Sequence, residues 1–375
     1  MSKPQVLVVG AGIVGLAVAR ALAERGSRVV VVERSPRAVG ASIRNFGMVW
    51  PIGQPAGPLY ERALRSRAIW KQVLTEAGLW YRETGSLLVA RLPEEMAVLE
   101  EFIQIDGRPS AHLCTPAEAV EKSPAVRPNG LLGGLWSADE LIVDPRQAIA
   151  ALPKWLEERY GVQFHFGTAV TYIEHPYVWA GRLRWEADSI YVCSGADFEL
   201  LYPEHFARAP ITRCKVQMLR TLPQPNGWQM GASLCAGLTL IHYGAFALMP
   251  SLPALRRLFE EKYPQHLQRG VHVLVSQNAA GQLTIGDTHD YGLDVDPFDR
   301  MDGNELVLSY LNEFAHIPRL HLAETWHGIY PKMTDGSTEL VLHPEPGVTI
   351  VNGLGGAGMT LSFGLAEAVI NETLR

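Results

Sequence analysis

The chain opens with apolar runs in the order expected of a strand, a helix and a second strand. Apolar residues dominate Gln5–Val9, and a helical pattern follows from Ile13 to about Arg25. The next segment, 29–33, is apolar except for its last residue, Glu33. Gly26 ends the helical pattern, as glycine commonly does. These features predict a βαβ unit whose two strands lie parallel in one sheet.

Further along the chain, helical and strand-like patterns alternate. Helical spacing of apolar residues recurs at 57–77, 94–105 and 145–160, the last of these beginning at Asp144-Pro145, and residues 85–90 read as a strand. Short strand-like segments then predict a β meander. These segments are 161–166, 169–174, 177–179, 182–185 and 189–193.

The second half of the chain is predominantly strand-like. Strand patterns fill residues 212–340, for example at 215–220, 272–276 and 282–286, and we expect one charged helix, 254–263, to interrupt them. The pattern of the opening then returns, with a strand at 348–352 and a helix at 360–373. The pattern therefore predicts an α/β fold with a second, sheet-based lobe.

Composition narrows the class of protein. The chain has 375 residues, 47% of them hydrophobic and 19% charged, which is enough to form two packed lobes. Its net charge is −6, so it has no overall basic field that would attract nucleic acid. Its four cysteines lack metal or redox spacing, and we expect buried thiols. Glycines break the apolar stretch 6–23, and no run reaches the roughly 20 residues of a membrane span. We expect a cytoplasmic protein that does not associate with membranes.

The turn after the first predicted strand carries the strongest chemical signal. Gly10, Gly12 and Gly15 form a GxGxxG pattern between strand and helix, which permits a tight turn, close approach of a pyrophosphate and close packing of the helix on the strand. Glu33 ends the second strand, where a carboxylate would accept hydrogen bonds from a ribose. The alternative is a packing turn without a ligand. Arg34 could indicate a phosphorylated nicotinamide cofactor, or it could be a solvated charge.

A second glycine cluster, residues 353–360, also joins a predicted strand to a predicted helix. The positive end of that helix would stabilise negative charge, such as that on the pyrimidine edge of a reduced flavin. Two clusters of this kind favour FAD over NAD. A tight strand–helix packing turn is the alternative interpretation.

With these motifs, the sequence resembles the glycine oxidase, D-amino-acid oxidase and monomeric sarcosine oxidase family of FAD-dependent oxidoreductases over nearly its whole length. Besides the two glycine clusters, the matching residues are Glu33, the segment 40–48, Asp144-Pro145, Val170, Ser194-Gly195-Ala196, Gly286-Asp287-Thr288, and the segment 326–331 with Asp335.

The resemblance implies a Rossmann-like FAD-binding domain of the glutathione-reductase type, interleaved with an antiparallel-sheet substrate domain. Residues 1–80, 140–212 and 335–375 would form the first domain, and residues 81–139 and 213–334 the second. The residues expected to contact FAD are Gly10, Gly12, Ile13, Gly15, Glu33, Arg34, Ala41, Ser42, Asn45, Gly47, Met48, Val170, Ser194, Gly195, Gly355, Gly356, Gly358, Met359 and Thr360.

The sequence also departs from the family at functional positions. Gly328 replaces the cysteine to which sarcosine oxidases attach their flavin, so FAD should be bound non-covalently. Tyr330 stands where glycine and D-amino-acid oxidases place an arginine for the substrate carboxylate, and Thr360 where sarcosine oxidase has a lysine. An ordinary α-amino acid is therefore not the expected substrate. Thr284 similarly replaces the lysine that activates oxygen in sarcosine oxidases.

Other cations could replace the missing carboxylate anchors. Arg44, His327 and Lys332 are the candidates, together with Lys215, and each could instead be a surface charge or a packed side chain. Arg44 is favoured because it lies in the loop expected to pass the flavin. The residues expected at the catalytic centre are Met48, Arg44, His327, Tyr330, Lys332 and Met359.

Residues 44–54 resemble more narrowly a branch of the family associated with aminophosphonate catabolism. The expected reaction is oxidation of a small primary or secondary amine, such as 2-aminoethylphosphonate or its N-methyl derivative, by hydride transfer to flavin N5. The imine would hydrolyse to an aldehyde, with O2 as the expected electron acceptor. The alternatives are oxidation of an amino acid or hydroxy acid carboxylate, and a flavin-binding protein that acts on RNA or has no catalytic role. The 12 histidines show no metal-ligand spacing, and no metal is expected.

Overall fold

The structure is a computed structural model that describes residues 5–373. In that range it has 21 strands and ten α-helices. The strands are β1 (Gln5–Val9), β2 (Arg28–Val32), β3 (Met48–Val49), β4 (Tyr81–Arg82), β5 (Ser86–Ala90), β6 (Ala111–Cys114), β7 (Gly133–Ser137), β8 (Leu141–Val143), β9 (Gln163–His165), β10 (Tyr172–Glu174), β11 (Tyr177–Ala180), β12 (Leu183–Glu186), β13 (Ser189–Val192), β14 (Ile211–Thr221), β15 (Ser233–Ala236), β16 (Leu274–Gln277), β17 (Leu283–Gly286), β18 (Asp290–Gly292), β19 (Leu322–Met333), β20 (Leu340–Leu342) and β21 (Val348–Asn352). The helices are α1 (Ile13–Glu24), α2 (Pro58–Glu76), α3 (Pro93–Ile105), α4 (Pro116–Lys122), α5 (Pro145–Tyr160), α6 (Pro203–Arg208), α7 (Leu252–Lys262), α8 (Pro264–Gln268), α9 (Met301–Phe314) and α10 (Gly358–Thr373).

The first sheet is parallel except at one edge and has the order β20-β21-β13-β1-β2-β9. β1 pairs with β2 on one side and with β13 on the other, both in parallel, so the predicted βαβ start is confirmed. Helices α1, α2, α5 and α10 pack into one hydrophobic core beside this sheet. The carboxyl ends of β1, β2, β13 and β21 share one edge, which is where ligands bind in open α/β sheets.

The second large sheet has nine strands and is mostly antiparallel. Its order is β18-β14-β17-β16-β15-β5-β7-β6, and β19 pairs with β14 along nearly its full length. Only β5 and β15 run parallel to each other within it. Its own hydrophobic core lies under α3, α7 and α9. The mixed α/β class, with a parallel sheet and a separate antiparallel sheet, is confirmed.

The predicted meander at 161–193 is only partly present. β10, β11 and β12 form a three-stranded antiparallel sheet, but β9 and β13 join the parallel sheet instead. The physical reason is burial on both faces, because Ile190, Tyr191 and Val192 of β13 are all buried. Such a continuous apolar strand belongs in the middle of a covered parallel sheet.

The expectation of a single helix within residues 212–340 is wrong. Besides α7, the structure has the short helix α8 and the 14-residue helix α9. Helix α9 buries Val307, Tyr310, Leu311 and Phe314, which are spaced along the chain as one face of a helix. The polar residues that begin this helix interrupt the apolar pattern and hide its period.

Four expectations concern the cysteines, membrane association, the domain division and the location of the protein. All four cysteines are buried and free, as expected. Within residues 5–373, no helix is long and apolar enough to cross a membrane. The two large sheets draw on different segments of the chain, but the division into two discontinuous domains stays a prediction, as does the cytoplasmic location.

Candidate active site and cofactor cavity

One cavity of about 1040 Å³ connects the two large sheets. Its wall includes the carboxyl ends of β1, β2, β13 and β21 on one side and residues of β14, β16 and β19 on the other. Small-molecule sites commonly measure about 300–1000 Å³. A cavity at the upper end of that range has room for a dinucleotide and a substrate together.

The turn after β1 requires glycine at two positions. Gly10 has φ +102°, and a Cβ added there would lie 2.4 Å from the backbone oxygen of Cys193. A Cβ at Gly15 would lie 1.9 Å from the oxygen of Gly10, so helix α1 could not pack on β1 with any larger residue. Gly12 is the N-cap of α1, and the first turn of that helix contains no acidic residue. The turn thus presents an uncompensated positive helix end to the cavity.

Glu33 is fixed at the end of β2 by two backbone donors. Its Oε2 accepts a hydrogen bond from Ala11 N at 2.8 Å, and its Oε1 accepts one from Ser35 N at 2.9 Å. The carboxylate lines the cavity next to the glycine turn. Because a carboxylate has further lone pairs, Glu33 can also accept hydrogen bonds from the hydroxyls of a ribose.

The loop at residues 40–48 is held in shape by Asn45. Its side-chain amide donates to the backbone oxygens of Ala41 and Ser42, both at 3.0 Å, and its Oδ1 accepts from Gly47 N. Ser42 Oγ accepts a hydrogen bond from Ile13 N at 2.9 Å, which attaches the loop to the start of α1. The loop therefore lies across the same helix end that the glycine turn exposes.

The second glycine cluster follows β21 and leads into α10. Asn352, the last residue of β21, donates to the oxygen of Gly195 at 3.0 Å and accepts from Gly353 N at 2.7 Å. Helix α10 begins at Gly358 without an acidic residue in its first turn, and a Cβ at Gly358 would lie 3.7 Å from Ile13. Two positive helix ends thus lie side by side. Sequence reasoning missed Asn352, whose only signal is its position at the end of a predicted strand.

Most residues expected to contact FAD line this cavity. Gly15 and Gly47 do not, because both pack against backbone behind the cavity. A Cβ added at Gly47 would lie 2.1 Å from Val143 O. The expected residues that line the cavity are Gly10, Gly12, Ile13, Glu33, Arg34, Ala41, Ser42, Asn45, Met48, Val170, Ser194, Gly195, Gly355, Gly356, Gly358, Met359 and Thr360.

These features fit an FAD molecule. The glycine turns leave space where side chains would obstruct a pyrophosphate, the two helix ends offer positive charge, and Glu33 offers acceptors. Gly328 lines the cavity and has no side chain that could bond to a flavin, which accords with the expected non-covalent binding. When bound, FAD would supply the two-electron redox chemistry that no protein side chain provides.

The structure separates the candidate cations. Arg44 and Lys332 line the cavity, whereas His327 and Lys215 do not. His327 Nδ1 lies 2.9 Å from Asp299 Oδ1, and Lys215 Nζ lies 3.0 Å from the same oxygen. Both of these side chains are therefore engaged with an acidic residue outside the cavity.

Tyr330 and Thr360, which the sequence resemblance assigns to the two anchor positions, both line the cavity. Burial raises the pKa of Tyr330 well above its usual value, so the hydroxyl stays protonated and can donate a hydrogen bond. The Thr360 hydroxyl accepts a hydrogen bond from Trp50 N at 2.9 Å. Thr360 thus holds the backbone near β3, and Tyr330 remains available to a ligand.

A cluster of three histidines was missed by sequence reasoning. His242, His272 and His289 line the cavity, and their ring nitrogens lie within 4.8 Å of one another. His272 precedes β16 and His289 follows β17, and these strands form an antiparallel pair that places the two residues side by side. The one signal in the sequence is that the predicted strand 272–276 begins with a histidine and that a second histidine, His289, follows the predicted strand 282–286.

Comparison with known proteins agrees with these features. A family profile described as "DAO: FAD dependent oxidoreductase" matches residues 5–372. Glycine oxidase from Geobacillus kaustophilus is 25% identical over 364 residues, which cover 91% of this chain and 84% of that protein.

Solved structures give the same result for the fold. L-proline dehydrogenase from P. horikoshii superposes with a TM-score of 0.79 at 22% identity, covering 99% of this chain and 94% of that one. L-α-glycerophosphate oxidase from Mycoplasma pneumoniae, solved with FAD bound, has a TM-score of 0.72 at 20% identity and covers 100% and 94%. Together with the family match over nearly the whole chain, these findings place the protein in the DAO family, as an FAD-dependent oxidoreductase.

Proposed function

We propose that this enzyme oxidises the C–N bond of a small amine that carries a phosphonate group, such as 2-aminoethylphosphonate or its N-methyl derivative. The product would be an imine that hydrolyses to an aldehyde, with O2 as the electron acceptor. One observation carries the proposal: Arg44 and Lys332 line the cavity, where the resemblance to glycine and sarcosine oxidases implies that Tyr330 and Thr360 stand in place of the carboxylate anchors. Lysine and arginine both bind tetrahedral oxyanions.

Two cations of the cavity wall support an anionic substrate. Among the described residues, four lysine or arginine side chains and five acidic side chains line the cavity, and two of the cations are paired, Arg34 with Asp197 and Arg213 with Glu199. Within residues 5–373, Arg44 and Lys332 have no acidic group within 4.0 Å. These two side chains can therefore give their charge to a substrate.

The protein's part in the reaction is to bind and orient the amine. FAD, when bound, would accept the hydride from the carbon next to nitrogen. Met48 and Met359 are buried side chains on the cavity wall and would limit access of water to that carbon. The Tyr330 hydroxyl can donate to an anionic oxygen, and Lys332, two residues along the same strand, can pair with its charge.

A relative supports the idea of a tetrahedral dianion in this fold. The Mycoplasma pneumoniae neighbour is by name an oxidase of glycerophosphate, whose phosphate group carries the same shape and charge as a phosphonate. The competing candidate is oxidation of a carboxylate substrate, an amino acid or a hydroxy acid. The similarity to glycine oxidase favours that candidate.

Anaerobic mixing with potential substrates distinguishes the two candidates. The holoenzyme is mixed with glycine, sarcosine, 2-aminoethylphosphonate and its N-methyl derivative, and loss of the oxidised-flavin absorbance is followed. We expect the phosphonates to reduce the flavin much faster than the carboxylates. Reduction by the carboxylates alone would refute the proposal. Admission of air, with detection of peroxide, then tests O2 as the acceptor.

A further inference from the structure

The three histidines of the cavity are packed unusually closely. The ring centres of His242 and His272 are 3.8 Å apart with the planes inclined by 33°, and His289 lies 4.7 Å from His242 and 5.1 Å from His272. His272 and His289 are buried, with 3% and 6% of their surface exposed, whereas His242 is exposed to the cavity. The cluster therefore forms a wall of imidazoles that a ligand in the cavity can reach.

One nitrogen of each buried ring lies near a protein oxygen. His289 Nδ1 lies 2.8 Å from the backbone oxygen of Gly270, whereas His272 Nε2 lies 3.3 Å from Asp287 Oδ1, an oxygen that has no hydrogen-bond partner among the described residues. The other nitrogen of His272, Nδ1, is buried and has no hydrogen-bond partner within the described part of the chain. A buried polar atom without a partner is costly, so this nitrogen indicates a ligand that would satisfy it.

Positive charge dominates around the cluster. Lys332 lies close enough to contribute to lowering the pKa of all three histidines. The other titratable groups near the cluster are Asp287, Tyr243, Tyr291, Tyr330 and Cys214, and burial raises the pKa of each of them, which keeps them predominantly neutral. These five groups therefore add little negative charge to this wall of the cavity.

We propose that His242, His272 and His289, together with Lys332, bind the doubly charged anionic head of the substrate. This proposal rests on the proposed function, because it assigns the phosphonate group of the substrate to one place in the cavity. A tetrahedral dianion has three oxygens, enough to accept hydrogen bonds from the imidazoles and from the ammonium group at once. The amine would then extend from this site toward the flavin.

A bound dianion would change the protonation of the cluster. The pKa of the two buried histidines, His272 and His289, is lowered mainly by burial, that of His289 to about 4, so without a ligand these two rings are neutral. A bound dianion favours the protonated ring, because opposite charges raise a histidine pKa.

The geometry favours an anion over a metal ion. Two imidazoles bound to one tetrahedral zinc place their ring centres about 5 Å apart, since each nitrogen lies about 2 Å from the ion. The two pairs that include His289 match this spacing, at 4.7 and 5.1 Å, but the ring centres of His242 and His272 are only 3.8 Å apart, which is too short for all three rings to bind one ion. The nearby ammonium group of Lys332 also disfavours a second cation.

Binding of an unreactive probe tests this site separately from catalysis. Ethylphosphonate, which has no amine, is titrated into the holoenzyme while the flavin spectrum and the heat of binding are followed, with propionate as the carboxylate counterpart. In His242→Gln and His272→Gln we expect ethylphosphonate to bind about 10- to 100-fold more weakly, the loss of one or two charge-assisted hydrogen bonds. Propionate binding should change less than ethylphosphonate binding in the same variants.

The control is His321→Gln, because His321 is exposed and lies outside the cavity wall. His242 faces the cavity, so its replacement leaves the core intact, and flavin content and melting temperature verify that both variants fold. Unchanged ethylphosphonate affinity in His242→Gln overturns the proposal. So does one equivalent of zinc in the purified holoenzyme that is lost in that variant.

The outcome for this site and for the proposed function can be read separately. If ethylphosphonate binds through the histidines but 2-aminoethylphosphonate does not reduce the flavin, the anion site stands and the proposed reaction fails. If 2-aminoethylphosphonate reduces the flavin and its KM is the same in His242→Gln as in the wild type, the reaction stands and the anion site fails.

Discussion

Gly10 and Gly26 both have positive φ, +102° and +87°, but they differ in their surroundings. A Cβ at Gly10 would lie 2.4 Å from the oxygen of Cys193, whereas nothing lies within 4 Å of a Cβ at Gly26. We expect Gly26→Ala to cost only the backbone strain of about 1–2 kcal/mol. Gly10→Ala should cost clearly more and should also abolish retention of FAD, because the turn must shift away from β13.

Denaturant unfolding and flavin content of the two purified variants measure this difference. If Gly10→Ala keeps its FAD and loses no more stability than Gly26→Ala, the turn tolerates a side chain. The close approach between β1 and β13 would then not be what requires glycine there.

The buried histidines make stability depend on pH. The pKa of His289 is lowered to about 4 in the folded protein, mainly by burial, against about 6.5 when unfolded. Between these values the unfolded chain binds the proton and the folded chain does not, so the free energy of unfolding falls as the pH is lowered through that window. For this one residue the loss reaches about 3 kcal/mol, and His272, which is also buried, acts in the same direction.

Urea unfolding at pH 7.5, 6.0 and 5.0 gives the size of this effect. The decrease in stability should be smaller in His289→Gln, which has no proton to bind at this position. The same slope in both proteins would show that other groups cause the acid sensitivity. Ethylphosphonate at saturating concentration should also reduce the slope in the wild type.

At the level of elements, Asn352 connects the end of β21 to the loop after β13. Its side chain is buried, donates to Gly195 O and accepts from Gly353 N. In Asn352→Leu both hydrogen bonds are lost and buried backbone groups lose their partners, which should cost about 2–4 kcal/mol and weaken FAD binding. Asn312→Leu, on the exposed side of α9, is the matched control.

Equilibrium unfolding and dialysis against FAD measure the two effects of Asn352→Leu. Equal stability of the two leucine variants would contradict the role assigned to Asn352. Loss of stability without weaker FAD binding would limit that role to the packing of the sheet.

The elements that sequence reasoning predicted well carry local signals. Helix α5 was predicted at its observed bounds because Asp144 and Pro145 mark its start, and Asp144 Oδ1 indeed accepts from two backbone amides of its first turn. The bounds of β1 and β21 were also correct. Helix α9 was missed because its polar first turn obscures the helical spacing, and β9 and β13 were misplaced because the choice of sheet depends on distant strands.

The same distinction between local and distant signals applies to the site. The glycine turns and Glu33 could be identified because one short segment contains the whole motif. The histidine cluster could not, since His242 belongs to a different segment from the hairpin that carries His272 and His289. Only the nine-stranded sheet brings these three residues together. Lys332 could be proposed as a cation from sequence, but not its position beside them.

At the scale of the whole molecule, the cavity wall combines residues of both large sheets. A ligand that binds only the folded protein stabilises it, by about 4 kcal/mol at a thousand times its dissociation constant. Removal of FAD should therefore lower the melting temperature, and added FAD should restore it in proportion to the logarithm of its concentration. Differential scanning calorimetry of the flavin-free protein gives this dependence, and a melting temperature independent of FAD would show that the cofactor does not connect the two sheets.

The position of β21 in the chain also determines when the enzyme can acquire its cofactor during synthesis. β21 pairs with β13, and α10, which follows it, packs against α1 and supplies the second helix end of the cavity. The ribosome makes residues 348–373 more than 300 residues after the first glycine turn at Gly10. Until those residues have emerged, the parallel sheet lacks β21 and the edge strand β20 that pairs with it, and the cavity lacks its second helix end. Capture of FAD must therefore follow translation of this segment, and a nascent chain stalled before residue 348 should not bind flavin.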